Sequence, residues 1–207
     1  MLDILPPDDP RAVRCRRDLK LINWLLGNHR WLLRVLDSNA RKLDGGIVEL
    51  GAGDGAFLHR LHRRHPNLRL AGFDRAPRPA DLPGDIAWHS GDVFQHEGPW
   101  PGEVIVANLF LHHFTVEQLQ ALGRRLESAR MLLIGEGHRD PNVMRCSGWL
   151  NPLLGEVTRH DMEISLAAGF VVGELPEWLG LSNRDWIVTE SLNMFGGLRL
   201  LAIRREQ

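Results

Sequence analysis

Between residues 47 and 135 the chain alternates short apolar runs with stretches of helical periodicity. That alternation restricts the fold more than any other feature of the sequence. Ile47-Val48-Glu49-Leu50 runs into a glycine-rich turn, and residues 56–65 then carry helical spacing that ends at Pro66. Residues 68–73 and 85–89 read as a second and a third strand. Residues 103–107 read as a fourth, a helix is expected over 116–128, and 131–135 supplies a fifth strand. Strands and helices in strict alternation predict an α/β fold, with a mostly parallel sheet covered on both faces.

Beyond the fifth strand the pattern loosens. Residues 162–168 carry helical spacing, and 170–175 suit either a strand or the approach to a helix through Trp178. Residues 185–190 and 198–203 are β-like and joined through Gly196-Gly197, so a terminal hairpin should bring one antiparallel strand into the sheet. Upstream, 18–26 and 31–36 are periodic on either side of a Gly27-Asn28 break. Residues 1–43 are therefore expected to form an N-terminal helical cap on a domain spanning 44–207.

Composition narrows the classes. With 43% hydrophobic and 25% charged residues, the chain is neither disordered nor fibrous in character. A net charge of −1 gives no electrostatic basis for a broad nucleic-acid face. Arginine dominates the basic residues but is scattered, and the Arg11–Arg17 run reads as a solvated helix face. Cys15 and Cys146 alone make no disulfide framework, so both are expected to pack and a reducing cytoplasm is the expected location. The first ten residues are acidic and proline-rich, unlike a leader, and no apolar run approaches the ~18–20 residues that span a bilayer.

The most informative segment is the turn Gly51-Ala52-Gly53-Asp54-Gly55, placed between a strand and a helix. Glycines at alternate positions let the backbone turn sharply and let a ligand approach free N–H groups. The spacing G-x-G-x-G departs from the dinucleotide pattern G-x-G-x-x-G. Glu49 before the turn and Asp54 within it would repel a pyrophosphate and attract a cation, which disfavours a nicotinamide cofactor. Asp74 closes the second strand 21 residues after Gly53, where an acid can accept both hydroxyls of a ribose. Asp92 follows the third strand and could reach an adenine amino group.

Taken together, the E-L-G-A-G-D-G turn, Gly72-Phe73-Asp74, Gly91-Asp92 and Asn108-Leu109-Phe110-Leu111-His112-His113-Phe114 resemble class I S-adenosylmethionine-dependent methyltransferases. The resemblance covers residues 45–135 in order. It implies a Rossmann-like seven-stranded sheet with one antiparallel strand from the last hairpin, and S-adenosylmethionine as cofactor. It further implies that Glu49, Gly51, Ala52, Gly53, Asp54 and Gly55 face the methionine part of that cofactor. Asp74 with Arg75 would hold the ribose, Asp92 and Val93 the adenine, and Asn108 with Leu109 the pocket below the sulfonium.

For the acceptor, the prolines and aromatic ring of the amino-methylating motif N-P-P-Y are missing after Asn108, which argues against nucleobase methylation. Gly135-Glu136-Gly137-His138-Arg139-Asp140 and Thr158-Arg159-His160-Asp161 are similar to small methyltransferases encoded beside bacterial type III polyketide synthases. This resemblance implies O-methylation of a small aromatic or polyketide-derived hydroxyl. His160 or His138 would be the base, and Arg139 or Arg159 would steady the phenolate. His112 is a third candidate base, although adjacent His112-His113 also suits a packing role at a helix start. Arg159 and Asp161 equally suit a helix-entry ion pair.

No metal is expected, because Asn108 stands where a catechol-type site needs an acid and the histidines lack zinc spacing. Trp24 and Trp31 suit either an apolar wall for the acceptor or core packing. C-methylation of an activated ring or enol, as in quinone biosynthesis, and a non-catalytic cofactor-binding protein remain alternatives. The expected partner is a small-molecule substrate, with no nucleic acid and no membrane insertion; oligomeric state is open.

Overall fold

The computed structural model describes residues 23, 26–126, 128–140, 167–182, 184–193 and 195–205. Seven strands form one sheet: β1 (Ile47–Leu50), β2 (Leu70–Asp74), β3 (Ala87–Ser90), β4 (Val104–Asn108), β5 (Met131–Gly137), β6 (Trp186–Leu192) and β7 (Gly197–Arg204). Their order is β3-β2-β1-β4-β5-β7-β6. β1 to β5 pair in parallel, whereas β7 runs antiparallel to both β5 and β6. The expected α/β sheet and terminal hairpin are thus present. After β1 the chain steps outward to β2 and β3, then returns to place β4 on β1's other side. The crevice at the carboxyl ends of β1 and β4 is the topological switch point, where α/β sheets bind ligands.

Strand alternation sorts the core into two layers. On one face Ile47, Val104, Val106, Met131 and Leu133 pack against Leu32 and Leu36 of α1 (Asn28–Ser38) and Phe57, Leu58 and Leu61 of α2 (Ala56–Arg64). On the other, Val48, Leu50, Ile105, Ala107, Leu132 and Ile134 meet Leu119 and Leu122 of α3 (Val116–Arg125) and Leu175 of α4 (Glu174–Trp178). The described part of the N-terminal cap therefore shares the core of the sheet. Among the described residues no helix is long and apolar enough to cross a membrane.

Boundaries shift for local reasons. α3 starts after a capping box, in which Thr115 Oγ1 accepts from Gln118 N and Gln118 Oε1 accepts from Thr115 N. It ends at Arg125, three residues before the expected 128, where Leu126 N bonds back to both Leu122 O and Gly123 O. β3 begins at Ala87 rather than 85, because Arg78 draws the carbonyls of Leu82, Pro83 and Ile86 into a loop. The ambiguous 170–175 stretch resolves as an isolated bridge from Phe170 to His138 followed by α4. All but the last two residues of the helix expected over 162–168 lie outside the described residues.

Candidate active site

Every strand-end residue of the candidate site lies at the carboxyl edge of the sheet, on either side of the switch point. The glycine turn leaves β1 with Gly51, Gly53 and Gly55 all in the left-handed region, at φ 71°, 56° and 70°. Its shape is held from the neighbouring strand. Gly51 N and Ala52 N donate to Phe73 O, and Gly53 N donates to Asp74 Oδ2 at 2.7 Å. Asp74 Oδ1 accepts from Ala76 N at 2.8 Å. The three glycines have different reasons to lack a side chain. A Cβ on Gly51 would lie 2.3 Å from the Phe110 ring, and one on Gly55 would lie 2.9 Å from Leu82. A Cβ on Gly53 would meet nothing within 4 Å, so the turn opens into free space there.

Glu49 points to the α1–α2 side of the sheet, as strand alternation from Ile47 requires. It is only 3% exposed, and its Oε2 has no hydrogen-bond partner. Burial, followed by the nearby charges of Asp54 and Asp74, pushes its carboxyl well above the usual range. A buried acid with an orphaned oxygen beside two further acids is chemically suited to a positive ligand group.

The same face carries a ladder of amides. Asn28 Nδ2 donates to Asn108 Oδ1 at 3.0 Å, and Asn108 Nδ2 donates to Asn23 Oδ1 at 2.7 Å. Gly135, paired with Asn108 across β4 and β5, leaves room for it, since a Cβ there would lie 2.9 Å from Asn28 Nδ2. Arg199, opposite Gly135 on β7, donates to Leu26 O and lies 5.6 Å from the Trp31 ring. The helical cap is thereby tied to the ends of β4 and β7.

Next to Asn28, His29 packs against Phe57 of α2. Burial, assisted by Arg60 and opposed by Asp54, lowers its pKa to about 4. With a folded value below the ordinary 6.5, His29 favours the fold above about pH 6.5 and loses that contribution as pH falls toward 4. The account predicts on the order of 2–3 kcal/mol of acid destabilisation from this residue. Denaturant unfolding of wild type and His29→Leu between pH 4 and 7 checks it, and the variant should lack that component.

Just past β3, Arg75 Nη2 bonds Asp92 Oδ2 at 2.8 Å, and Phe94 N donates to Asp92 Oδ1 at 3.0 Å. The Phe94 amide, then Arg75, hold the Asp92 carboxyl below its ordinary value. The Val93 side chain is in the core, so only its backbone is left to frame a ligand.

The turn after β4 is held by a residue that sequence reasoning noted but gave no role. Glu136, 0% exposed at the end of β5, accepts from Phe110 N at 2.8 Å and Leu111 N at 2.6 Å. Its Oε2 lies 2.8 Å from His112 Nδ1. These contacts fix Leu109, which holds a left-handed φ of 52° and donates to Gly135 O. Phe110 is thereby set with its ring on Gly51. The signal was an acid closing the apolar run 131–135.

The remaining candidates divide. The His112 side chain is 7% exposed and committed through Nδ1 to Glu136. His138 is half-buried at the end of β5, and its ring makes no hydrogen bond to a described residue. Arg139 donates to Gly169 O and to Glu174, pinning the chain before α4 to β5. Cys15, Trp24, Cys146, Arg159, His160 and Asp161 lie outside the described residues.

No family model matches the chain, and no curated protein matches it. Solved structures do. The plantazolicin methyltransferase BpumL in complex with SAH aligns over 96% of this chain and 92% of its own, at 14% identity and a TM-score of 0.73. The plantazolicin methyltransferase BamL, with SAH and a triazolic desmethylPZN analogue, aligns over 97% and 93% at 10% identity and a TM-score of 0.74. The S-adenosylmethionine-dependent methyltransferase SibL aligns over 99% of this chain but 61% of its own, at 16% identity and a TM-score of 0.63. At these identities the likeness establishes the fold: the chain has the Rossmann-like architecture of S-adenosylmethionine-dependent methyltransferases.

Proposed function

We propose that the chain is an S-adenosylmethionine-dependent methyltransferase that methylates a hydroxyl of a small aromatic or polyketide-derived acceptor. The observation that carries this reading is Glu49, a nearly dry acid with an unpartnered oxygen, set beside Asp54 at a glycine turn that opens at Gly53. Such a pocket suits a nucleoside carrying sulfonium and ammonium charges and repels a pyrophosphate. The binding of SAH by BpumL and BamL supports the same choice. Their action on plantazolicin-type compounds supports a natural-product acceptor.

In this reading Glu49, Asp54 and the backbone of Gly51, Ala52, Gly53 and Gly55 receive the methionine end. Asp74 takes the ribose through the acceptor capacity its two backbone bonds leave, with Arg75 beside it. Asp92 and the Val93 backbone take the adenine, and Asn108 with Leu109 lies below the sulfonium. When bound, the cofactor supplies an electrophilic methyl. The protein's part is to align the acceptor in line with it, exclude water and remove the hydroxyl proton.

His138 is the base best supported, since its ring, just past the end of β5, bonds to none of the described residues while His112 is engaged by Glu136. His160 is the alternative base, with Arg139 or Arg159 beside the developing phenolate. Formation of SAH from S-adenosylmethionine and a panel of phenols tests the reaction class. His138→Ala is expected to cut turnover by roughly 10²–10⁴ with SAH affinity unchanged. Wild-type turnover in that variant would transfer the role to His160. Cofactor binding with no phenol methylated would reject the hydroxyl acceptor.

A further inference from the structure

We propose that Glu49 is uncharged in the ligand-free protein and surrenders its proton to solvent when a cationic ligand enters, so that ligand uptake releases one proton. The inference rests on the cofactor reading, since the positive end of that ligand is what Glu49 receives. It goes further in making the pocket's attraction conditional: the countercharge appears only when a cation is there to meet it.

A carboxylate in a folded protein is stabilised by donors, by a neighbouring cation or by water. Glu49 has almost none of these. It is 3% exposed, no donor reaches its Oε2, and no ion pair to it occurs among the described residues.

Among the described residues, the groups around it offer no relief. From the glycine turn comes Asp54, and from the end of β2 comes Asp74, both acids whose charge opposes a second negative one. On α1 lie Asn28, neutral and bonded to Asn108, and His29, whose pKa of about 4 leaves it neutral at physiological pH. From β4 comes Asn108, neutral and bonded to Asn23 and Asn28. Among the described residues no cation pairs with it, and Arg75 is engaged by Asp92. The upward displacement of the Glu49 carboxyl agrees with this arrangement.

The step balances simply. The O–H bond of Glu49 breaks, its proton passes to the buffer, and the carboxylate left behind pairs with the incoming positive charge. No electron changes hands. By linkage, affinity must rise with pH as long as Glu49 is protonated in the free protein. A neutral ligand of the same shape gains nothing from the residue.

Calorimetric titration with SAH near pH 6, in two buffers of different ionisation heat, tests this. At that pH an α-amine, with an ordinary pKa of about 7.7–8.0, keeps its proton, so the ligand contributes none. The expected result is release of about one proton per SAH bound, with affinity rising by up to roughly tenfold per pH unit. Glu49→Gln copies the shape of the neutral acid, so it is expected to fold, which a thermal melt verifies. It should bind SAH without proton release and with affinity nearly independent of pH. SAH binding to wild type without proton release, or with equal release from both proteins, overturns this inference and leaves the cofactor reading standing. Absence of SAH binding to both proteins overturns the two together.

Discussion

Replacing Glu136 with alanine is expected to destabilise the protein by about 3 kcal/mol or more, one of the largest effects of any single substitution at the site. Three groups lose their acceptor at once: Phe110 N, Leu111 N and His112 Nδ1. All lie where water does not reach easily, since Leu111 is in the core and Glu136 itself is completely buried. The left-handed Leu109 also loses the bonds that follow it in the chain, and a leucine holds that conformation at a cost of about 1–2 kcal/mol. Glu136→Gln keeps an oxygen for the two amides and should recover much of the loss. Urea unfolding of the two variants checks the ranking. A loss below 1 kcal/mol in the alanine variant would mean that the turn holds itself.

Asp74→Ala is expected to weaken binding of S-adenosylmethionine and SAH by roughly ten- to a hundredfold or more. Two losses combine. In the proposed reading the ribose hydroxyls lose a half-buried acceptor, and Gly53 N loses the 2.7 Å bond that holds the glycine turn against β2. Asp74→Asn separates them in part, because its single amide oxygen can still accept from Gly53 N, at the expense of the Ala76 N bond, while its NH₂ group cannot accept from a hydroxyl. Asparagine should therefore fall between wild type and alanine in a direct binding titration. Unchanged affinity in the alanine variant would remove Asp74 from the ligand site.

Much of this fold was legible because it is written in short-range patterns. The apolar runs at 47–50 and 103–107 announce buried parallel strands, and Gly196-Gly197 between two β-like stretches announces the hairpin. The glycine turn was legible too, yet its physical reading changes in three dimensions. Gly51 accommodates the Phe110 ring and Gly55 accommodates Leu82, so only Gly53 borders open space.

What could not be read is what depends on distant pairing. Asn28 and Asn108 meet across 80 residues of sequence, and nothing in either segment signals that they will share a hydrogen bond. Arg139 reads in sequence as an anion-steadying group, and that its guanidinium also holds Gly169 O and Glu174 follows only from the fold. The role of Glu136 depends on which turn the end of β5 lies beside. That neighbour is set by strand order, which local propensity does not encode.

The acidic turn at the β1–β4 switch point is proposed to receive an adenosyl sulfonium and not a dinucleotide. Calorimetric titration of the purified protein with S-adenosylmethionine, SAH and NAD tests it most directly. The account predicts micromolar binding of S-adenosylmethionine and SAH and none of NAD. Binding of NAD alone would contradict it.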